Sequence, residues 1–472
     1  LSERKSMPIY MAALPLFIMI VAMGFTIIKY EGAPHIPLLL GAFSASIVAL
    51  FYGYSWNEIE SSFYSGIHKA LPAIVILILV GLIIGSWIGG GIVGSLIFYG
   101  LKLISPGYFL ISIMLLCTVV ALSIGSSWST MATIGVAGMG IGISMGISEP
   151  MIAGAIISGA YMGDKMSPLS DTTNLASGIA DVPLFEHIKH LLYTTLPAYV
   201  IAAVIFGIVG RRFSVTGYES GQISLIMDNL QSQFIISPWL LLVPVAVIVL
   251  VLLKIPALPA LSIGVVLGFL CQVLIQGDAV GTGVVSLYDG YQLNTGNELM
   301  NNLLNQGGLS SMMYTISLTV VAMIFGGVIE GTGMMKKMMD GIIQLVRSTR
   351  ALVPATILTS ISTNITMAEQ YISIIVPARM YADTYNQKNL HRKNLSRAVE
   401  DGGTVTSVLV PWNTGGIFVA GTLGVETLSY LPYAFFNLAT PVISILLALT
   451  GFSIVKAGLE EKSSSEKNRN IG

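Results

Sequence analysis

The chain predicts an all-α, polytopic membrane fold on three observations: scarce charge, recurrent apolar stretches of spanning length, and an internal echo about 240 residues long. Of 472 residues, 23 are Lys or Arg and 24 are Asp or Glu, so charge occupies 10% of the chain where soluble proteins carry about a quarter. With 54% hydrophobic residues and a mean hydropathy of +0.80, there is too little polar surface to hold this length of chain in water. A net charge of −1 without a concentrated basic face gives no footprint for nucleic acid. Cys117 and Cys271 both lie in apolar runs and read as packing residues rather than a disulfide or thiolate site.

A bilayer core about 30 Å thick is crossed by about 20 apolar residues as helix. Such stretches occur at Pro8–Ile28, Ile36–Tyr52, Leu71–Leu101, Leu191–Gly210, Pro238–Leu253, Ala257–Ile275, Met312–Ile329 and Ala439–Val455. Between Lys102 and Glu149 no residue is charged, enough for two crossings or one crossing plus a re-entrant hairpin, and Leu352–Met380 reads as an out-and-back pair. The first run is too long for a cleavable signal and reads as the first span. Basic residues gather at Lys336–Arg350, Arg379–Arg397 and beyond Lys456, whereas the loop Gly277–Ser310 holds Asp278, Asp289 and Glu298 without Lys or Arg. The positive-inside rule then gives about 12–14 crossings with both termini cytoplasmic, as a multi-pass protein of the cell membrane, with Arg211 and Arg212 as an exception. The expected organisation is N-terminal spans (1–56), a first repeat core with hairpin and broken helix (57–210), a connecting loop (211–236), further spans (237–296), a second repeat core (297–457) and a polar tail (458–472).

The echo pairs Thr130-Met-Ala-Thr133 with Thr366-Met-Ala-Glu369 at an offset of 236, and Asp164 with Asp401 at 237. Gly81 and Gly85 fall against Ala322 and Gly326, and Gly100 against Gly341, at an offset of 241. The crossing count makes the copies opposite in direction, the inverted repeat of many secondary transporters, whose ions bind where discontinuous helices meet near the midplane.

Each half breaks its apolar sequence twice: at Ser123–Thr130 and Gly163–Asn174 in the first, and at Ser362–Gln370 and Glu400–Gly416 in the second. Pro168 and Pro411 interrupt helices. Carbonyls freed at such breaks are tolerated at membrane depth only when buried in protein or facing water, where they can serve as cation ligands. Carboxylates at that depth are functional candidates by default; here they are Asp164, Asp171, Glu369, Glu400 and Asp401. A carboxylate in low dielectric favours its protonated form until a cation binds, so sodium and protons compete for one group. Lys165 is the candidate charge partner, and Asp171 is also placed to cap a half-helix. Glu330, aligned with Gly89, is expected to lie outside the core site. Glu58–Lys69 and Asp181–His190, including His187 and His190, are expected as interfacial segments. Trp128 and Trp412 are the aromatic residues expected near substrate. With no G-x-x-x-x-G-K-[ST] loop, an ATP-driven pump is disfavoured, and titratable carboxylates in paired repeats suit alternating access better than a channel.

Gly163-Asp-Lys-Met-Ser-Pro-Leu-Ser-Asp-Thr-Thr-Asn-Leu-Ala176 resembles the signature of the NhaC-type Na⁺/H⁺ antiporters of the ion-transporter superfamily, and the likeness extends over nearly the whole chain. The resemblance implies a transporter rather than an enzyme, exporting sodium against inward protons, with no cofactor beyond the transported ions. With that activity, Na⁺ is expected at Asp164, Asp171, Thr172 and Asn174, with Thr173, Ser127, Thr130, Asn364, Thr366, Asn413 and Thr414 as further candidate oxygen ligands. Asp401 and Glu369 are then the second-half candidates for a proton or a second cation. The family also includes exchangers similar to the malate/lactate antiporter, for which Lys165 and the Gly415-Gly416 break would serve an organic anion; simple Na⁺/H⁺ exchange is favoured because Lys165 is the only base within the motifs. Related transporters often dimerise, so a homodimer is an expectation here too.

Overall fold

The computed structural model describes residues 7–30, 32–103, 105–168, 170–215, 220–253, 255–293, 301, 304–305, 307–343 and 348–457. Glu298 and the tail 458–472 lie outside the described residues. Within them the protein is an all-α polytopic membrane protein, its β contact being an isolated bridge between Leu390 and Lys456.

Two apolar helices, α1 (Ile9–Gly24) and α2 (His35–Phe51), precede α3 (Trp56–Gly89). Ser55 and Glu58 close a reciprocal capping box that starts α3, so the segment expected as interfacial is the first turns of a long helix. α4 (Ile92–Leu103) and α5 (Pro106–Ile124) follow, then α6 (Ser127–Thr130), a π turn at Met131–Gly135, and α7 (Val136–Ser144). α8 (Glu149–Met166) and α9 (Asp171–Ile179) are the halves of a broken helix, and α10 (Leu184–Val215) completes the first copy. Between the copies stand α11 (Ser220–Gln233), α12 (Leu242–Leu252), α13 (Ala257–Leu274) and α14 (Val280–Asp289). Residues 220–233 of the expected connecting loop are therefore helical. The second copy contains α15 (Met313–Gly331), α16 (Met334–Ile343), α17 (Thr349–Met367), α18 (Gln370–Gln387), α19 (Lys393–Val399) with a π turn at Glu400–Thr404, α20 (Thr414–Leu423) and α21 (Phe435–Thr450).

By length and composition, Trp56–Gly89, Leu184–Phe213 and Gly308–Gly331 can each cross a bilayer. Counting each bent pair, Ile226–Gln233 with Pro238–Leu250 and Thr427–Tyr433 with Phe435–Thr450, as one span brings the number among the described residues to 5. The other apolar stretches are shorter helices, many ending at the polar interruptions, so the expected 12–14 crossings are not reached by full-length helices alone.

Backbone conformation reveals the repeat's register. Gly91 and Gly333 both end long helices at φ +70°, while Gly125 (φ 75°) and Ala368 (φ 56°) both end helices in the left-handed region. Pro168 aligns with Pro411, and the N-cap Ser170 with the N-cap Asn413. These pairs are 242 or 243 residues apart by their numbers. This corrects the 236–241 offset: Thr130 follows its break whereas Thr366 precedes its own, so their shared Thr-Met-Ala is out of structural register. Glu369 corresponds to Ser126, not Thr133, and Asp164 to Ser407, not Asp401.

The copies are inverted. A Cβ added at Gly66 of α3 would strike the Met323 carbonyl of α15, one at Gly331 would strike Ser62, and one at Gly81 would lie 2.6 Å from the Gly308 carbonyl. Ascending α3 thus descends α15. The second equivalent pair is also antiparallel, with Tyr193 against Phe452 at 6.2 Å and Phe206 against Phe435 at 4.9 Å between ring centroids. Small residues allow this approach where lipid supplies no hydrophobic drive between helices.

Gly66→Leu places a side chain into the Met323 backbone and is expected to cost at least the roughly 1–3 kcal/mol typical of overpacking. Gly24→Ala, with nothing within 4 Å, serves as the control and is expected to show no loss. Thermal unfolding of the purified proteins in detergent measures both.

Candidate functional site

Each copy folds one hairpin and one broken helix. In the first, Cβ atoms added at Gly138 and Gly142 would meet Ile113 and Phe109, so α7 runs back along α5 and the chain turns at Gly125-Ser126. In the second, Thr359 bonds the Tyr381 hydroxyl at 2.8 Å and Thr356 the Tyr385 hydroxyl at 3.1 Å, making α17 and α18 the expected out-and-back pair. Its tip is Ala368-Glu369. Each hairpin tip touches its own broken helix, and contacts between copies join the two assemblies.

Polar side chains at these interruptions satisfy backbone that lipid could not. Ser126 accepts from the Ser129 amide at 3.2 Å, Ser170 from Thr173 at 3.4 Å, Asn413 from Gly415 at 3.0 Å, and the Glu369 carboxylate from Ile372 at 2.9 Å. Glu369 therefore caps α18, a role its equivalence to Ser126 explains.

Asp164 lies at the first junction, 6% exposed. Its Oδ2 accepts from the Ser127 amide at 3.0 Å and the Ser127 hydroxyl at 2.7 Å. The hairpin tip thereby addresses the broken helix through charge-assisted bonds. Thr173 donates to the Lys165 carbonyl at 3.1 Å, and the Thr172 and Ser170 hydroxyls stand 3.1 Å apart. Ser127, Asp164, Thr172 and Thr173 are thus gathered and buried. Asp171 and Asn174 are exposed, Asn174 giving its amide to the carbonyls of Pro168 and Ser170 at 2.9 and 2.8 Å.

At the second junction Asn364 donates to the Gly403 carbonyl at 2.7 Å and the Thr406 hydroxyl at 3.0 Å, while accepting from Asn413 at 3.0 Å. The Thr414 amide donates to the Ala368 carbonyl at 2.8 Å, and its buried hydroxyl has no protein partner. Thr130 and Thr366 turn their hydroxyls onto carbonyls of their own local backbone, Ser126 and Ser362, each at 2.9 Å. Thr366 also lines a cavity of about 200 Å³ with Leu16, Ile20, Met335, Met338, Ser362 and Ile365. Trp128 stacks on Phe418 across the copies at 4.2 Å, and Trp412 donates to the Ile365 carbonyl at 2.7 Å.

The buried charges also pair across copies. Lys165 donates to Asp401, both fully buried, and Thr194 donates to the same oxygen at 3.1 Å. Arg397 approaches the other Asp401 oxygen at 3.9 Å. Neither carboxylate oxygen of the fully buried Glu400 has a hydrogen-bond partner. Lys69 pairs with Glu330 between α3 and α15, both about a third exposed, with Lys69 within electrostatic reach of Glu369 at the second hairpin tip. Sequence reasoning missed Arg397, Thr194, Gln370 and Ser407, the last two bonded at 2.9 Å. The spacing of Arg397 and Asp401 carried a signal, since residues four apart share a helix face. His187 and His190, expected at the interface, are instead 0% and 3% exposed, and His187 contacts Ser396 at 2.8 Å. Packing of α10 against α19 overrides the amphipathic pattern that suggested a membrane surface.

Lys165→Met removes one member of a buried ion pair, a change that typically costs about 3–5 kcal/mol. Its thermal unfolding midpoint is expected to fall further than that of Lys165→Met combined with Asp401→Asn, which removes both charges.

The profile of the Na⁺/H⁺ antiporter family matches residues 159–452, which contain the break of the first broken helix, the second hairpin and the whole second broken helix. The chain is 40% identical to the Na⁺/H⁺ antiporter NhaC of Alkalihalophilus pseudofirmus, over 93% of this chain and 94% of that protein. It is 37% identical to the NhaC of Bacillus subtilis, over 88% and 92%, and 36% identical to the malate-2H⁺/Na⁺-lactate antiporter of the same organism, over 88% and 89%. With the family profile covering more than half its length and these relatives nearly all of it, the chain belongs to the Na⁺/H⁺ antiporter family.

Proposed function

We propose that this protein is a secondary antiporter that exports Na⁺ in exchange for protons by alternating access. The carrying observation is Asp164, a buried carboxylate held at the meeting of a hairpin tip and a broken helix within the 163–176 motif. Its carboxylate binds either Na⁺ or a proton. Ser127, Thr172 and Thr173 supply neighbouring oxygens, and Asn364, Asn413 and Thr414 extend the polar centre in the second copy. Asp171 and Asn174 stand at its exposed margin, where they are suited to meeting an arriving cation. When sodium leaves, protonation of Asp164 removes the uncompensated charge and lowers the cost of crossing the apolar barrier. Exclusion of one ion by the other couples the fluxes.

An organic-acid exchange like that named for the Bacillus subtilis relative is the second reading. It is weakened by Lys165, the cation best placed for a carboxylate, being engaged with Asp401. Basic residues at 379–397 support a cell-membrane topology with that loop and both termini cytoplasmic.

In liposomes with an internal pH dye, a sodium gradient alone is expected to drive proton movement, with no requirement for malate or lactate. Asp164→Asn is expected to reduce that movement at least a hundredfold while retaining a monodisperse fold. Full activity in that variant overturns the assignment of Asp164, and a strict requirement for the organic acid transfers the reading to the second exchange.

A further inference from the structure

A second line of ionisable groups runs between α10 and α19 with its π turn and reaches inward to Glu400, which lies within electrostatic reach of Asp164. Glu186, His187, His190 and Thr194 recur at helical spacing along α10. At the outer end the partly exposed Glu186 accepts from Lys393 at 2.8 Å and lies 3.4 Å from His391. Next come His187 and His190, both buried, each with an Nε2 that has no protein partner. Farther in, Arg397 donates from Nη2 to Ser453 at 2.8 Å, while its Nε and Nη1 have no hydrogen-bond partner. The Glu400 carboxylate faces the Thr404 hydroxyl, and neither makes a hydrogen bond of good geometry.

Native interiors seldom leave polar atoms unmatched. Here they follow one another from a charged mouth to a buried acid, and water is small enough to satisfy each while linking neighbours. Imidazole can accept a proton at one nitrogen and release one from the other. The surrounding field is set by fixed charges: Lys165 faces His187 from α8, Lys393 and Arg397 face His190 from α19, and Tyr385 of α18 lies near Arg397. Fixed positive charges oppose any added free cation, Na⁺ included, so a proton passes only by concerted exchange, each imidazole accepting at one nitrogen as it releases from the other. Asp401 is already committed to Lys165 and Arg397, leaving Glu400 as the inner acceptor.

We propose that this seam is a hydrated proton route into the Asp164 centre, entered at the Glu186 mouth and ending at Glu400, with His187 and His190 as relays. The inference rests on the Na⁺/H⁺ exchange reading and adds where the proton travels.

The test compares two modes of the full chain in liposomes: sodium-driven proton movement, and exchange of radioactive for unlabelled sodium at constant pH. The latter needs no net proton transfer. His190→Phe fills the seam, and His190→Gln keeps a polar side chain that cannot relay a proton. Both are expected to lower proton movement at least tenfold while sodium–sodium exchange stays within twofold of the unsubstituted chain. An equal fall in both modes assigns His190 a structural role and overturns the proposal, as does unchanged proton movement in either variant. If the unsubstituted chain exchanges sodium but moves no protons, the antiport reading fails first, and the route fails with it.

Discussion

Interrupted helices can persist inside a bilayer only if the polar groups exposed by each interruption find partners within the protein. This constraint organises the molecule. Ser126, Ser170, Glu369 and Asn413 each bond an amide at a helix start, and Asn364 ties its hairpin to the second broken helix. The same solution that satisfies the backbone concentrates oxygen atoms around Asp164. Under the proposed exchange, structural polarity and ion chemistry occupy one region because both arise from broken helices.

Charge follows a related rule. Lys165 follows Asp164 in sequence, yet its ammonium pairs with Asp401 across the repeat boundary. That leaves the Asp164 carboxylate to the Ser127 donors. The fully buried pair is a poor guide to net stability, because desolvation offsets much of its attraction. Its geometric effect is to tie the inner end of α8 to the π turn of the second copy.

Much of the fold was readable along the chain. Low charge and long apolar runs indicated the membrane, Pro168 and Pro411 marked the breaks, and the charge-poor stretch at Leu352–Met380 indicated a hairpin. The repeat was legible, but its register was obscured because equivalent backbone roles use different residues: Gly125 and Ala368 both take positive φ, and Ser126 and Glu369 both cap helices. Letter identity at Thr-Met-Ala pointed elsewhere. The gathering of Ser127 with Asp164 and the union of Lys165 with Asp401 depend on distant helices meeting, which local periodicity does not encode. Burial of His187 and His190 has the same origin.

The antiparallel pairing of α3 with α15 has a consequence for directionality. If the opposing copies exchange conformations during transport, the inward-open form of one arrangement becomes the outward-open form of the other. Such a device has no intrinsic arrow, and the external gradients determine which way net transport runs. Because Asp164 is matched by Ser407 and Glu369 by Ser126, the exchange is chemically uneven, so the two resting orientations differ in occupancy even before any gradient is imposed.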